Sequence, residues 1–197
     1  THDRGRDLHV ALMTLRGDAP YVDYDWPYGP LMPFYYAAFF KAFGVSMLSF
    51  EIGELTAVAL TAAATAFAGF RIGGAAFGAA CGMLFLCIAP IRGYAHTGNH
   101  IGAALFSALT LAFAAGYLRN GRRAEIILGS LCVWLVAIVK LNVGLAFAVA
   151  FFGGIFAQRL LYECPTARAG RIERAFLFDF AAALAAFCAL TALVYIP

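Results

Sequence analysis

Charge is scarce in this chain. Only 13% of its 197 residues are Asp, Glu, Lys or Arg, 63% are hydrophobic, and the mean hydropathy is +0.81. Soluble domains carry roughly a quarter charged residues and are about half apolar, so the composition excludes that class and indicates an integral membrane protein. A concentrated basic patch is missing as well. The net charge is +3 and the arginines are scattered between hydrophobic stretches, which argues against nucleic acid as a partner. Close cysteine pairs are also lacking. Cys81, Cys87, Cys132, Cys164 and Cys188 form no CxxC, and four of the five lie in apolar stretches where cysteine packs as a small hydrophobe. Neither a disulfide framework nor a thiolate metal site is expected from them. No internal repeat of the transporter kind is visible. No signal peptide is visible either, the first residue is Thr1, and the last four fall inside an apolar pattern, so a fragment of a longer protein is expected.

What charge there is gathers at the front. Residues 1–30 hold five of the eleven acids: Asp3, Asp7, Asp18, Asp23 and Asp25. Within 3–16 the apolar residues Leu8, Ala11, Leu12 and Leu15 recur at i, i+3, i+4 and i+7, one face of a helix. That helix is too short and too charged to span, so it is expected to lie in the membrane interface and to stop at Gly17. Residues 18–30 mix Pro20, Pro27, Gly29 and Pro30 with Tyr21, Tyr24, Trp26 and Tyr28. This is a rigid non-helical loop carrying the rings that favour the headgroup level. Residues 31–43 are apolar but interrupted by Lys41, and a span needs around 20 residues, so an interfacial or re-entrant segment is predicted.

Six spans follow: 47–70, 75–90, 101–118, 125–140, 143–158 and 175–196. Gly74, Gly78 and Gly82 form a small-residue ridge for close helix approach, and Leu141 and Asn142 form a tight turn between the fourth and fifth spans. The predicted fold is therefore all-α: a polytopic transmembrane bundle over 45–197, preceded by a loop domain over 1–44. Alternation of sides puts Arg71, Arg119, Arg122, Arg123, Arg159, Arg168, Arg171 and Arg174 on one face, which the positive-inside rule assigns to the cytoplasm. The acidic loop, the turn at His96 to His100 and the turn at Lys140 to Asn142 then share the other face.

These segments resemble the membrane half of the GT-C glycosyltransferases, in particular the protein O-mannosyltransferase and aminoarabinose transferase-like group of bacterial enzymes. That group has an acidic residue after a first span, an amphipathic helix ending in glycine, a Pro-Tyr-x-Asp loop and an aromatic Gly-Pro-Leu run. The matching residues are Asp3, Gly17, Pro20-Tyr21-Val22-Asp23 and Gly29-Pro30-Leu31, with Gly129 and Lys140 matching a glycine-bearing helix that ends in lysine. The resemblance covers nearly the whole chain and lacks the family's first span. Two positions depart from it: Arg4 stands where the family has glutamate after the aspartate, and Leu141 where it has proline after the lysine.

The resemblance implies sugar transfer from a polyprenyl-phosphate donor to an acceptor outside the cytoplasm, with inversion, at the plasma membrane of a bacterium. The acceptor is a lipid, glycan or protein. Asp3 would be the general base, with Asp7, one turn on, as the second choice. Lys140 and Arg92 would meet the leaving phosphate; the alternative is snorkelling at helix ends. Tyr21 and Asp23 suit carbohydrate contact, or, for Asp23, a turn. Asp3 can equally cap its helix. His96 and His100 stand i, i+4 apart, a spacing that two divalent-metal ligands or two residues of a solvated loop both satisfy. Glu51 and Glu54 open a span, where the helix dipole accounts for them, and Asp179 is expected to pair with Arg174 or Arg171. A transporter or flippase for a lipid-linked sugar, and a non-catalytic membrane subunit of the same fold, are the alternatives. Reporter fusions should locate Thr1 on one side of the membrane and the segments carrying Arg71 and Arg122 on the other; a common compartment for all three refutes the arrangement.

Overall fold

The computed structural model describes the backbone at residues 2–91, 98–162 and 169–195, and the side chains at 4–88, 98–158, 178 and 180–194. Among the described residues there are eight helices and no strand: α1 (His2–Arg16), α2 (Leu31–Phe43), α3 (Met47–Gly73), α4 (Ala75–Ile91), α5 (Gly98–Asn120), α6 (Arg123–Val139), α7 (Leu141–Tyr162) and α8 (Ala169–Tyr195). α3, α5 and the 18-residue stretch Leu141–Gln158 of α7 are long and apolar enough to cross a membrane. Ala75–Ile88 and Phe180–Val194 are shorter apolar stretches, and α6 has 17 residues. The chain is thus an all-helical protein of membrane type.

Packing follows the chain in part, with α5 skipping back to α3 and α8 to α6. α3 lies against α4 and α5, α5 against α6, and α6 against α7 and α8, while α1 packs on α2 and α2 on α3. α3 starts at Ser46, whose Oγ accepts from the Ser49 N–H at 3.1 Å and so satisfies one free donor of the first turn. It stops at Gly74, where φ is +86°, a left-handed turn that an L side chain would strain. Gly74 is therefore the bend between α3 and α4, with open space around it. The close-approach ridge is made by Gly69, Gly78 and Gly82: a Cβ on Gly78 would sit 2.6 Å from the Ala66 carbonyl oxygen.

The apolar face of α1 is as the spacing predicts, but protein covers it. Ala11 is fully buried and Leu8, Leu12 and Leu15 pack against the same cluster as Met32, Tyr36, Phe40, Phe50, Val136 and Val139. Burial of this face against α2 and the bundle replaces the expected contact with lipid. Helix α1 also begins at His2, so Asp3 lies inside its first turn and does not take the capping position.

The bend between α6 and α7 is one residue long. Lys140 alone leaves the helical region, at φ −153° and ψ 99°. Its N–H still bonds to the Val136 carbonyl at 2.8 Å, and its carbonyl accepts from Gly144 at 2.9 Å, opening the next helix. Leu141 and Asn142, expected to form the turn, belong to the first turn of α7. So sharp a reversal needs near contact of the two backbones, and Gly144 allows it: a Cβ there would overlap Ala137 Cα and N. Gly144→Ala should lower stability by about 2 kcal/mol, as overpacking does. Gly153→Ala, whose added methyl meets nothing within 4 Å, should leave it unchanged or slightly raised. Melting of the detergent-solubilised variants checks the pair.

Candidate functional site

The ends of the bundle differ. At one end Arg71, on the last turn of α3, bonds to Glu125 at the start of α6, while Arg119 Nη1 donates to the Arg71 carbonyl at 2.8 Å. The guanidinium of Arg71 crosses α5 at Gly116, where any Cβ would collide with it. Arg71 and Arg119 therefore share an end, as the alternation of sides predicts. The side chains of Arg159, Arg168, Arg171, Arg174 and Asp179 lie outside the described residues.

The other end carries the loop. Residues 18–30 are held to α1 by Tyr24, whose hydroxyl is 2.7 Å from Thr14 Oγ1, and by Gly17, whose φ of +104° turns the chain. Trp26 is buried and donates from Nε1 to the Gly29 carbonyl at 2.9 Å. Tyr21 has φ +69°, uncommon for a residue with a side chain, and its hydroxyl donates to the Tyr28 carbonyl. Gly29 in turn donates its N–H to the Val139 carbonyl at 3.0 Å. That bond brings the loop onto the α6–α7 bend and leaves an open cavity of about 450 Å³ lined by Tyr21, Trp26, Pro27, Tyr28, Lys140, Leu141 and Asn142.

Two cations share the ring of Tyr28. Lys140 Nζ is 5.7 Å from its centroid and Arg6 Cζ is 5.1 Å away, with Arg6 also 5.3 Å from the Trp26 ring. Such spacings are cation–π contacts. Lys140 Nζ also lies 3.0 Å from His100 Nε2 at the start of α5. The donor and acceptor roles in that contact are set by the tautomer of His100.

A second polar group lies beneath α1. Arg4 Nη2 donates to Glu54 Oε2 at 2.7 Å and to Glu51 Oε1 at 3.2 Å, and Arg4 Cζ is 5.9 Å from the Phe50 ring. Glu54 is 6% exposed and Asp7 4%. Asp7 Oδ1 is 3.7 Å from Arg6 Nη2. Burial, then the charges of Glu54 and Asp7, push the Tyr36 phenol well above its ordinary range, so it stays a neutral hydroxyl, set against Gly98 at the start of α5.

Of the residues singled out by sequence, Tyr21 and Lys140 line one cavity and His100 touches Lys140. Asp7 is inside, between α1 and the bundle. Asp23 is exposed and accepts from the Ala19 N–H at 2.7 Å, the turn role, and does not line the cavity. The Asp3 side chain, Arg92 and His96 lie outside the described residues. Among the described residues no three His, Cys, Asp or Glu side chains are grouped to hold a metal ion. Sequence reasoning did not foresee the contacts of Arg4 with Glu51 and Glu54, or of Arg6 with the rings of Trp26 and Tyr28. The one signal for Arg4 was its place where the resembled family has glutamate. Comparison of the chain with protein-family models, curated proteins and solved structures finds no match.

The Tyr24 contact yields a pH test. Burial raises its phenol above 10.0, the bond with Thr14 opposes the rise, and the Asp18 charge adds to it. A folded value above the unfolded one means that the stabilising contribution is complete below pH about 10 and is lost as pH rises through the folded value. Stability of the native chain should therefore fall more steeply above pH 10 than that of Tyr24→Phe. The variant itself should be about 1 kcal/mol less stable at pH 7.

Proposed function

We propose that this chain is the membrane core of a glycosyltransferase of the GT-C type, moving a sugar from a polyprenyl-phosphate donor to an acceptor hydroxyl on the extracytoplasmic side of a bacterial plasma membrane. The observation that carries the reading is the cationic, aromatic-walled cavity at the loop end of the bundle, with Lys140 against His100 and the Tyr28 ring. It stands beside a helix bearing Asp3 and Asp7.

The reaction asks for a cation, rings and a carboxylate, in that order of approach. Lys140 and Arg6 supply positive charge where the bridging oxygen of the donor becomes a phosphate dianion, and charge that grows in the transition state is what fixed cations stabilise best. Tyr21, Trp26 and Tyr28 offer flat faces for sugar or isoprenoid. A carboxylate on α1, Asp3 first and Asp7 second, removes the acceptor proton as the acceptor oxygen bonds to the anomeric carbon. The bond from that carbon to the phosphate oxygen breaks on the opposite face, giving inversion and free polyprenyl phosphate. The described buried acids, Asp7 and Glu54, sit near the loop end, and charge at that end suits an enzyme better than a carrier, which needs its polar site near the bilayer midplane.

The full chain in nanodiscs, given radiolabelled polyprenyl-phosphate sugars and the cell-envelope lipid fraction, should release polyprenyl phosphate. Asp3→Asn should lower turnover about 100-fold or more, and Lys140→Ala about 30-fold through loss of a charged contact. Movement of intact donor across the bilayer without release would replace this reading by the carrier. Full activity of Asp3→Asn and of Asp7→Asn alike would remove the carboxylate mechanism.

A further inference from the structure

Arg4 and Asp7 are three residues apart on α1, so they share a face. Glu51 and Glu54 are likewise three apart on α3. One guanidinium nitrogen of Arg4 reaches both glutamates, at 3.2 Å and 2.7 Å. Arg6, about 200° round the same helix, goes the other way, onto the rings of Trp26 and Tyr28. α1 is therefore held between an acidic pair on α3 and an aromatic pair in the loop, and rotation about its own axis cannot satisfy one without losing the other.

We infer that Arg4 is a positioning residue: its bridge to Glu51 and Glu54 fixes the rotation of α1 and thereby where positions 3 and 7 of that helix stand. In its kinetic consequence this rests on the glycosyl-transfer reading; in its structural consequence it does not. Apolar packing alone sets this rotation poorly. The face made by Leu8, Ala11, Leu12 and Leu15 has side chains of two sizes only, whereas a short ion pair to a glutamate that is 6% exposed tolerates little displacement. Glu51, the more exposed acid, shares the guanidinium, and Glu54 is the anchor. The two glutamates act through Arg4 and take no proton from an acceptor.

The test uses the full chain in nanodiscs and two measurements, hydrogen exchange of the α1 amides and turnover of whichever polyprenyl-phosphate sugar the native chain consumes. Arg4→Ala leaves a buried carboxylate alone and is a severe change, so Arg4→Gln combined with Glu54→Gln, which removes both charges, is the main variant. Expected are exchange in α1 faster by about tenfold with α5 to α7 unchanged, and kcat lower by about 100-fold with KM altered by less than about threefold. The exchanged pair, Arg4→Glu with Glu54→Arg, should recover both. Native exchange in α1 of the neutral pair overturns the inference. So does faster exchange spread evenly over α5 to α7, or a rise in KM at constant kcat. If the native chain consumes no donor, the functional reading fails while α1 exchange still decides the role of Arg4.

Discussion

A helix end inside an apolar protein leaves carbonyls without partners, and the end of α6 shows how this chain meets that constraint. The turn at Lys140 is too short to satisfy the Val139 carbonyl from within, so its partner is the N–H of Gly29, 110 residues earlier, at 3.0 Å. An unpaired backbone group in a low-dielectric setting costs several kcal/mol, enough to hold a loop. The bond is one of the ties that set the position of the loop at this end. It places Tyr28 beside Lys140, Trp26 beneath Gly29, and the open cavity between them.

Charge obeys the same constraint at larger scale. Arg71 with Glu125 ties α3 to α6 at one end, and Arg4 with Glu51 and Glu54 ties α1 to α3 at the other. Between them α3 exposes Leu55, Leu60 and Phe67, side chains that suit hydrocarbon. Each ionic group thus doubles as a clamp between helices that hydrophobic packing cannot supply in lipid, since tails are as apolar as leucine. Small residues complete the work: Gly116 lets Arg71 cross α5, and Gly78 lets α4 reach the backbone of α3.

Local pattern was enough to read most elements. The apolar spacing of Leu8 to Leu15 marks α1, the short apolar run 31–43 marks α2, and the long apolar run from 47 marks α3. Patterns of this kind depend on neighbours within two turns. The bridge from Arg4 to Glu51 and Glu54 crosses 47 and 50 positions, so neither residue announces the other, and a glutamate at a helix start already has an adequate explanation in the dipole. The same holds for the ring contacts of Arg6, since Trp26 and Tyr28 carry no charge to complement. Asp23 shows the opposite case: its neighbourhood of proline and tyrosine reads as a carbohydrate wall, while four residues back the Ala19 N–H needed an acceptor. Local backbone demand took the carboxylate.

The two polar groups at the loop end are physically one device. Arg4 binds α1 to α3, Arg6 binds α1 to Trp26 and Tyr28, Tyr28 faces Lys140, and Lys140 meets His100 on α5. Four helices and the loop are thereby joined through alternating charge and ring, with Arg4 at one end and the cavity at the other. The sugar transfer proposed above would need a scaffold in which proton acceptor, acceptor hydroxyl and departing phosphate cannot drift independently. A loop tethered only by its own turns would let them drift. Pinning it to α1 by cation–π contact and to α6 by a backbone bond removes that freedom, and it does so without any bulky group in the cavity. The positive φ of Tyr21 fits this account, since in that conformation its hydroxyl donates to the Tyr28 carbonyl. Strain at such a position persists only where the surroundings over-determine it, and here two clamps do so.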